Sequence, residues 1–309
     1  KQGRTNMLQL DNNYQIHLQN VYKTYGNKRV LNDIDLKVRE KEFLSVVGPS
    51  GCGKSTLLRL LTGQELSDPS PSLMHFKGER IEGPDTTRGI VYQKYGLYDH
   101  MSVLENVMLG LRLKDRSVGL ASVSSVHKQQ ALHYLNRVAL STIDSLKYPH
   151  ELSGGMQQRV AIAQAMIMKP KLLLMDEPFG ALDPGTREDL QMFLMELWEE
   201  TGMTVFFVTH DLEEALWLGT RIIVLSQYYS VGKEDGSKFI NRGSKIVWDE
   251  KLKDGVLPTT YKDTEEFGKM INEIRKHGFR KDYLQHVEDF NLKHPDSFQT
   301  VEEDELRPQ

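Results

Sequence analysis

A chain of 309 residues is long enough for one large α/β domain with an appendage, or for two modest domains. Lysine and arginine total 39 against 43 aspartates and glutamates, and the resulting net charge of −4 gives no support to a nucleic-acid-coating role. Cys52 is the only cysteine, which excludes a disulfide within the chain and points to a reducing compartment. The opening stretch "KQGRTNMLQLDNNYQ" has no apolar core of the kind a secretory leader needs. No apolar run approaches the ~18 residues of a membrane span, so a cytosolic, soluble chain is expected.

Four apolar runs each end abruptly at a polar residue. "FLSVV" (Phe43 to Val47) runs into Gly48, and "GIVY" (Gly89 to Tyr92) ends at Gln93. "KLLLM" (Lys171 to Met175) ends at Asp176 and Glu177, and "TVFFVT" (Thr204 to Thr209) ends at His210. Continuous apolar runs without polar alternation predict strands buried on both faces of a largely parallel sheet, an α/β fold. Ligands in such sheets bind outside the carboxyl ends of the strands. A loop, an amide, two carboxylates and an imidazole therefore converge on one edge.

The loop is "GPSGCGKST", from Gly48 to Thr56. Its spacing, Gly-x-x-x-x-Gly-Lys-Ser, is that of a P-loop, in which backbone N–H groups of Ser50, Gly51, Cys52, Gly53, Lys54, Ser55 and Thr56 close around phosphate. Lys54 is expected to reach the β- and γ-phosphates, Ser55 to offer its hydroxyl to Mg²⁺, and the following helix to point its positive end at the anion. Cys52 fills a free position of the loop, and alkylating it is expected to block ATP binding by bulk. Asp176 and Glu177 fit phosphoryl transfer, one carboxylate anchoring the metal and the next deprotonating or orienting the attacking water. His210 earns notice from its strand end alone; His17, His75, His127, His133, His277, His286 and His294 are read as structural.

A second glycine turn, "ELSGGMQQRVAIAQAM" (Glu151 to Met166), opens another helix, with Ser153 as a good N-cap and Gly154 and Gly155 permitting close backbone approach. With this segment in place the chain resembles the nucleotide-binding subunit of an ATP-binding cassette (ABC) transporter. The resemblance covers about residues 14–230 and rests on "YKTYG", "GPSGCGKST", the Gln93 loop, "LSGGMQQR", "LLLMDEP", "ALD" and "VTHD", in the family's order. It implies a P-loop NTPase with a RecA-like core, an antiparallel β subdomain, and a helical signature subdomain at about 94–166. It also implies a head-to-tail pair of ATPase subunits, identical or homologous, with ATP sandwiched between one P-loop and the partner's signature motif. Ser153, Gly154 and Gly155 would then touch an ATP held by another subunit. By the same resemblance Tyr25 stacks on adenine, and Gln93 touches Mg²⁺ and the water and senses the membrane subunit. Asp183 links the two sites, Glu177 is the general base, and His210 contacts the γ-phosphate.

"FGALD" and the single cassette resemble bacterial importer subunits, and the stretches 77–93 and 179–202 resemble the nitrate/sulfonate/taurine branch. Integral membrane permease subunits and a substrate-binding protein are the implied partners, nucleic acid is not, and the implied location is the cytoplasmic face of the inner membrane, held peripherally. A soluble cassette acting on ribosomes or DNA is the alternative; such proteins carry two cassettes or a long coiled-coil insertion, and this chain shows neither. Leu190, Phe193, Leu194, Leu197 and Trp198 form a helical apolar face and are read as core. Residues 1–13 are an N-terminal extension, and 231–309 a C-terminal one. In the latter, 230–245 reads as a linker or a loose hairpin, Asp263 and Glu266 predict a capping box with Gly278 as the helix stop, and "TVEEDELRPQ" is expected to be disordered.

Overall fold

Every residue of Phe43–Val47 and of Thr204–Val208 is buried, as strands covered on both faces require. The computed structural model describes residues 14–69, 72–114, 125–232, 242–253, 255 and 258–307. Along the chain, β1 (Tyr14–Tyr25) and β2 (Lys28–Arg39) form a long hairpin, and β3 (Phe43–Val47) leads through the glycine loop into α1 (Lys54–Thr62). Strands β4 (Leu73–Phe76), β5 (Glu79–Arg80) and β6 (Arg88–Val91) precede three helices, α2 (Val103–Lys114), α3 (Ser125–Arg137) and α4 (Gly154–Met166). Then come β7 (Leu172–Asp176), α5 (Pro184–Thr201), β8 (Thr204–Val208), α6 (Leu212–Leu218) and β9 (Arg221–Ser226). The chain continues with β10 (Tyr229–Ser230), β11 (Lys245–Lys251), α7 (Glu265–Phe279), β12 (Gln285–His286) and β13 (Asn291–Leu292).

The central sheet has the order β13-β11-β9-β3-β8-β7-β6. Strands β6, β7, β8, β3 and β9 are mutually parallel, and β11 joins antiparallel to β9. Successive side chains of a strand point to opposite faces. Phe43 and Val47 accordingly enter a core shared with α2, α4, α5 and α7, while Leu44 and Val46 enter a second core shared with α1 and the hairpin. A four-stranded antiparallel sheet, β2-β1-β4-β5, closes that second core. The face read as core on α5 is core: Leu190, Leu194, Leu197 and Trp198 are buried and Phe193 packs against them.

The C-terminal extension departs from expectation. A boundary at residue 230 falls within the sheet system, because β11 lies on β9 with Lys251 opposite Arg221 and Ile246 opposite Leu225. The N-cap of α7 is Thr264, whose Oγ1 accepts from the Phe267 N–H at 3.3 Å, one residue after the Asp263 of the expected capping box. Gly278 lies inside α7, and its role is approach rather than stopping: a Cβ there would sit 2.4 Å from Val224 Cγ1 on β9. The acidic end is docked. Thr300 donates its N–H to Asp35 at 2.6 Å, Lys245 bonds Glu305 at 2.8 Å, and Arg39 grips Asp296. Local composition could not show this, since each partner is more than fifty residues away along the chain. The expected N-terminal extension lies outside the described residues, as does most of the expected linker.

Candidate active site

The P-loop owes its shape to close packing as much as to dihedral freedom. A Cβ on Gly48 would meet the Leu225 carbonyl oxygen at 2.1 Å, so the loop presses directly on the end of β9. Gly51 and Gly53 have φ of 78° and 96°, values that L side chains resist. The Lys54 ammonium, buried in the loop, donates to the carbonyls of Gly48 at 2.8 Å and Pro49 at 3.3 Å. Cys52 is only 1% exposed and packs into the second core, and burial pushes its thiol above the ordinary range. It is a packing residue that reagents reach on unfolding, which removes the ground for expecting its alkylation to act as a block inside a folded loop.

The loop after β3 and the segments following β6, β7 and β8 meet at one edge of the sheet. Ser55, at the start of α1, donates its hydroxyl to Asp176 Oδ1 at 3.2 Å. Burial raises the Asp176 carboxyl, and the Ser55 bond opposes that only in part. Glu177 follows with φ 46°, a left-handed conformation that costs a non-glycine residue about 1 kcal/mol or more. Its N–H donates to the Val208 carbonyl at 2.9 Å, which ties this turn to β8. The same Glu177 oxygen, Oε2, receives Gln93 Nε2 at 3.1 Å and lies 3.1 Å from His210 Nδ1. A strained turn therefore presents a carboxylate held between an amide and an imidazole.

Tyr25 ends β1 and is 41% exposed, with its hydroxyl on the Glu65 carboxylate. Arg59 of α1 pairs with Glu65 at 2.5 Å and also reaches the Tyr25 hydroxyl (3.5 Å) and Thr56 Oγ1 (3.4 Å). Sequence reading missed Glu65 and Arg59, because no local pattern links them to Tyr25. It also missed the buried support behind His210: Glu214 receives Thr209 at 2.8 Å and Gln191 at 3.1 Å.

The second glycine turn is elsewhere. Ser153 is the N-cap of α4, accepting from the Met156 N–H at 3.3 Å. The closest groups to Gly154 and Gly155 are Tyr95 and the pair Thr186 and Leu182. Asp183 caps α5, accepting from the Thr186 N–H at 3.0 Å. So the structure brings Lys54, Ser55, Asp176, Glu177, Gln93 and His210 to one sheet edge and packs Ser153–Gly155 beside the start of α5.

The ABC transporter family model matches residues 31–180. The chain is 42% identical over 212 residues to the taurine import ATP-binding protein TauB of Escherichia coli, covering 68% of this chain and 79% of that one. This chain belongs to the ABC transporter ATP-binding family. It is 40% identical to the sulfate/thiosulfate import ATP-binding protein CysA of Pectobacterium atrosepticum, of which it spans 64% of the length. Among solved structures, the cassette MJ0796, in a dimeric post-hydrolysis state bound to ADP and Pi, is similar with a TM-score of 0.63 and 33% identity. That likeness covers 77% of this chain and 99% of the other. The molecule is an ABC-type ATPase with the P-loop fold its sequence implies. Among the described residues no helix is long and apolar enough to cross a membrane.

Proposed function

We propose that this chain is the ATP-hydrolysing motor of a membrane importer for a small anion or organic solute, of the nitrate, sulfonate or taurine kind. The observation that carries the hydrolytic part is the Glu177 carboxylate, held at 3.1 Å by both Gln93 and His210 beside the Ser55–Asp176 pair. Lys54 neutralises the β- and γ-phosphates of ATP while loop N–H groups orient them. Glu177 accepts the proton of the attacking water, Gln93 positions that water, and His210 supports charge on the γ-phosphate. Ser55, Asp176 and Gln93 offer hard oxygen donors, and a carboxylate whose burial disfavours its charge suits a dication. Mg²⁺ bound there would neutralise phosphate charge.

Ser153, Gly154 and Gly155 sit on a capped helix start away from this chain's own P-loop, which supports their use against ATP on a second cassette. Asp183, at the adjoining helix start, would report from one site to the other. That the similar cassette MJ0796 is dimeric supports pairing of two cassettes. An apolar surface supports docking to a permease. Ile143 and Leu146 are 74% and 69% exposed, and Tyr98 and Tyr148 are exposed to a lesser degree. Both segments abut the start of α2, where Val103 N–H donates to the Lys147 carbonyl and Tyr98 N–H to Asn106 Oδ1.

The import reading rests on the taurine and sulfate relatives and is tested by co-purification. The tagged chain, extracted in mild detergent from its own cell, is expected to bring down a multi-span membrane protein, with a substrate-binding protein beside it. Recovery of only ribosomal, DNA-bound or soluble partners would end the transport reading and leave the ATPase.

A further inference from the structure

At the opposite edge of the central sheet from the P-loop lies a cavity of about 350 Å³. One wall is the cassette: Arg39 to Glu42 precede β3, and Thr220 and Arg221 open β9. The other wall is the C-terminal extension, where Lys251 ends the antiparallel β11, Lys253 comes just after it, and His294 to Asp296 follow β13. Five cations (Arg39, Lys41, Arg221, Lys251 and Lys253) face three carboxylates.

The carboxylates are already engaged. Asp296 accepts two bonds from Arg39, at 2.6 and 2.7 Å, and one from the Tyr14 hydroxyl at 2.9 Å. Glu42 lies 3.2 Å from Arg221, and Glu40 pairs with Lys77 at 2.8 Å. Lys253 differs. It is 9% exposed, and its ammonium bonds the Trp217 carbonyl in the last turn of α6, where the helix end supplies a partial negative charge and not a full counter-ion. Among the described residues no carboxylate pairs with it, and burial alone holds its pKa down at about 8. A buried ammonium without a counter-charge costs several kcal/mol of solvation. Its presence on a polar cavity is the signature of a site completed by an anion. Glu42, His294 and Asp296 also place donor atoms within 4.8 Å of one another, as a cation site would. Against a cation, Arg39 occupies both Asp296 oxygens, and His294 Nδ1 already accepts the Asp296 N–H at 3.1 Å.

We propose that this cavity binds a small oxyanion of the sulfate or phosphate class, held by Lys253 between the cassette and its C-terminal extension. Trp198 and Pro295 line the same space, so a short organic substituent on the oxyanion fits beside them. The ligand would bridge the wall contributed by the cassette and the wall contributed by its extension, and so lock the extension onto the sheet.

The test is calorimetric titration of the full chain with sodium sulfate and, separately, sodium phosphate, with the P-loop saturated by Mg-ADP and sodium chloride matched for ionic strength. Expected is saturable binding of at least one oxyanion, weakened about tenfold or more in Lys253→Met and retained in Lys253→Arg. An adventitious ion only, seen as a salt-like response equal in wild type and Lys253→Met, would overturn the proposal. So would absence of saturable binding in the wild type, which decides the matter even if the methionine variant does not fold. Titration with Zn²⁺ under the same conditions gives the competing outcome: a saturable Zn²⁺ site lost in His294→Ala, with sulfate and phosphate ignored, would make the cavity a cation site. ATP hydrolysis and its variants play no part in these readouts, so the oxyanion site and the motor stand or fall separately.

Discussion

Glu177 concentrates the chemistry of the molecule in one strained turn. Its left-handed backbone, the 3.1 Å contacts to Gln93 and His210, and its tie to β8 fix the position of the carboxylate. Glu177→Gln keeps size and hydrogen-bonding capacity while removing the base. ATP binding should persist, turnover should fall by ~100-fold or more, and an ATP-bound dimer should accumulate on gel filtration. Near-normal hydrolysis would remove Glu177 from the role of base. Its neighbour Asp176 predicts a trade of stability for function. Burial raises its carboxyl above the ordinary value, so its contribution to stability is complete at low pH and lost as pH rises through the folded value. Above the folded value the ionised carboxylate is therefore a net cost. Asp176→Asn keeps an oxygen for the Ser55 hydroxyl and should raise the Tm of the nucleotide-free protein while reducing Mg²⁺-dependent hydrolysis by ~100-fold or more. A lower Tm in thermal melts would show that the carboxylate stabilises the fold.

Helix α7 is placed by its cap and by one glycine. Thr264 accepts from the Phe267 N–H, and Phe267 and Ile274 then enter the core beside β9 and β11. Thr264→Ala should cost about 1 kcal/mol in urea unfolding, and Asp263→Ala should cost only a few tenths. The reverse order would return the cap to Asp263, where local spacing had put it. The strands leading to Gly48, Asp176 and His210 were visible in the chain because a strand buried on both faces reads as an unbroken apolar run; β6, before Gln93, was expected to be buried in the same way but is the edge strand of the sheet and only Val91 of it is fully buried. The β strands of the extension were not visible in this way. β12 and β13 have two residues each, and β11 carries Lys245, Trp248 and Asp249, a mixture that only its long-range partners explain. Lys245 is buried between Asp33 and Glu305, and Asp249 between Arg221 and Ser297.

Across the molecule, the extension is fastened to the cassette by charge. Arg39 and Tyr14 hold the Asp296 carboxyl down at about 2, against an unfolded value near ~3.9. A group with a lowered folded pKa stabilises above its unfolded value, and that contribution fades as pH falls toward the folded one. Asp296→Asn should therefore lower Tm at pH 7, and the gap to wild type should close between about pH 4 and pH 2. A constant gap across that window would mean that packing of the extension, not the ion pair, sets the difference.

The order of motifs along the chain was enough to determine the P-loop, the acidic pair, the capped signature helix and the parallel sheet that carries them. Each of these depends on dihedral freedom, capping or burial within a few residues, and such effects are written locally. The tertiary structure alone decided that residues 294–307 dock, that Glu65 and Arg59 hold Tyr25, that Gln93 and His210 share one oxygen of Glu177, and that Lys253 is buried on a cavity. These are contacts between distant segments. Their energy comes from desolvation and charge pairing after the chain has folded, and no local pattern records which distant groups will meet.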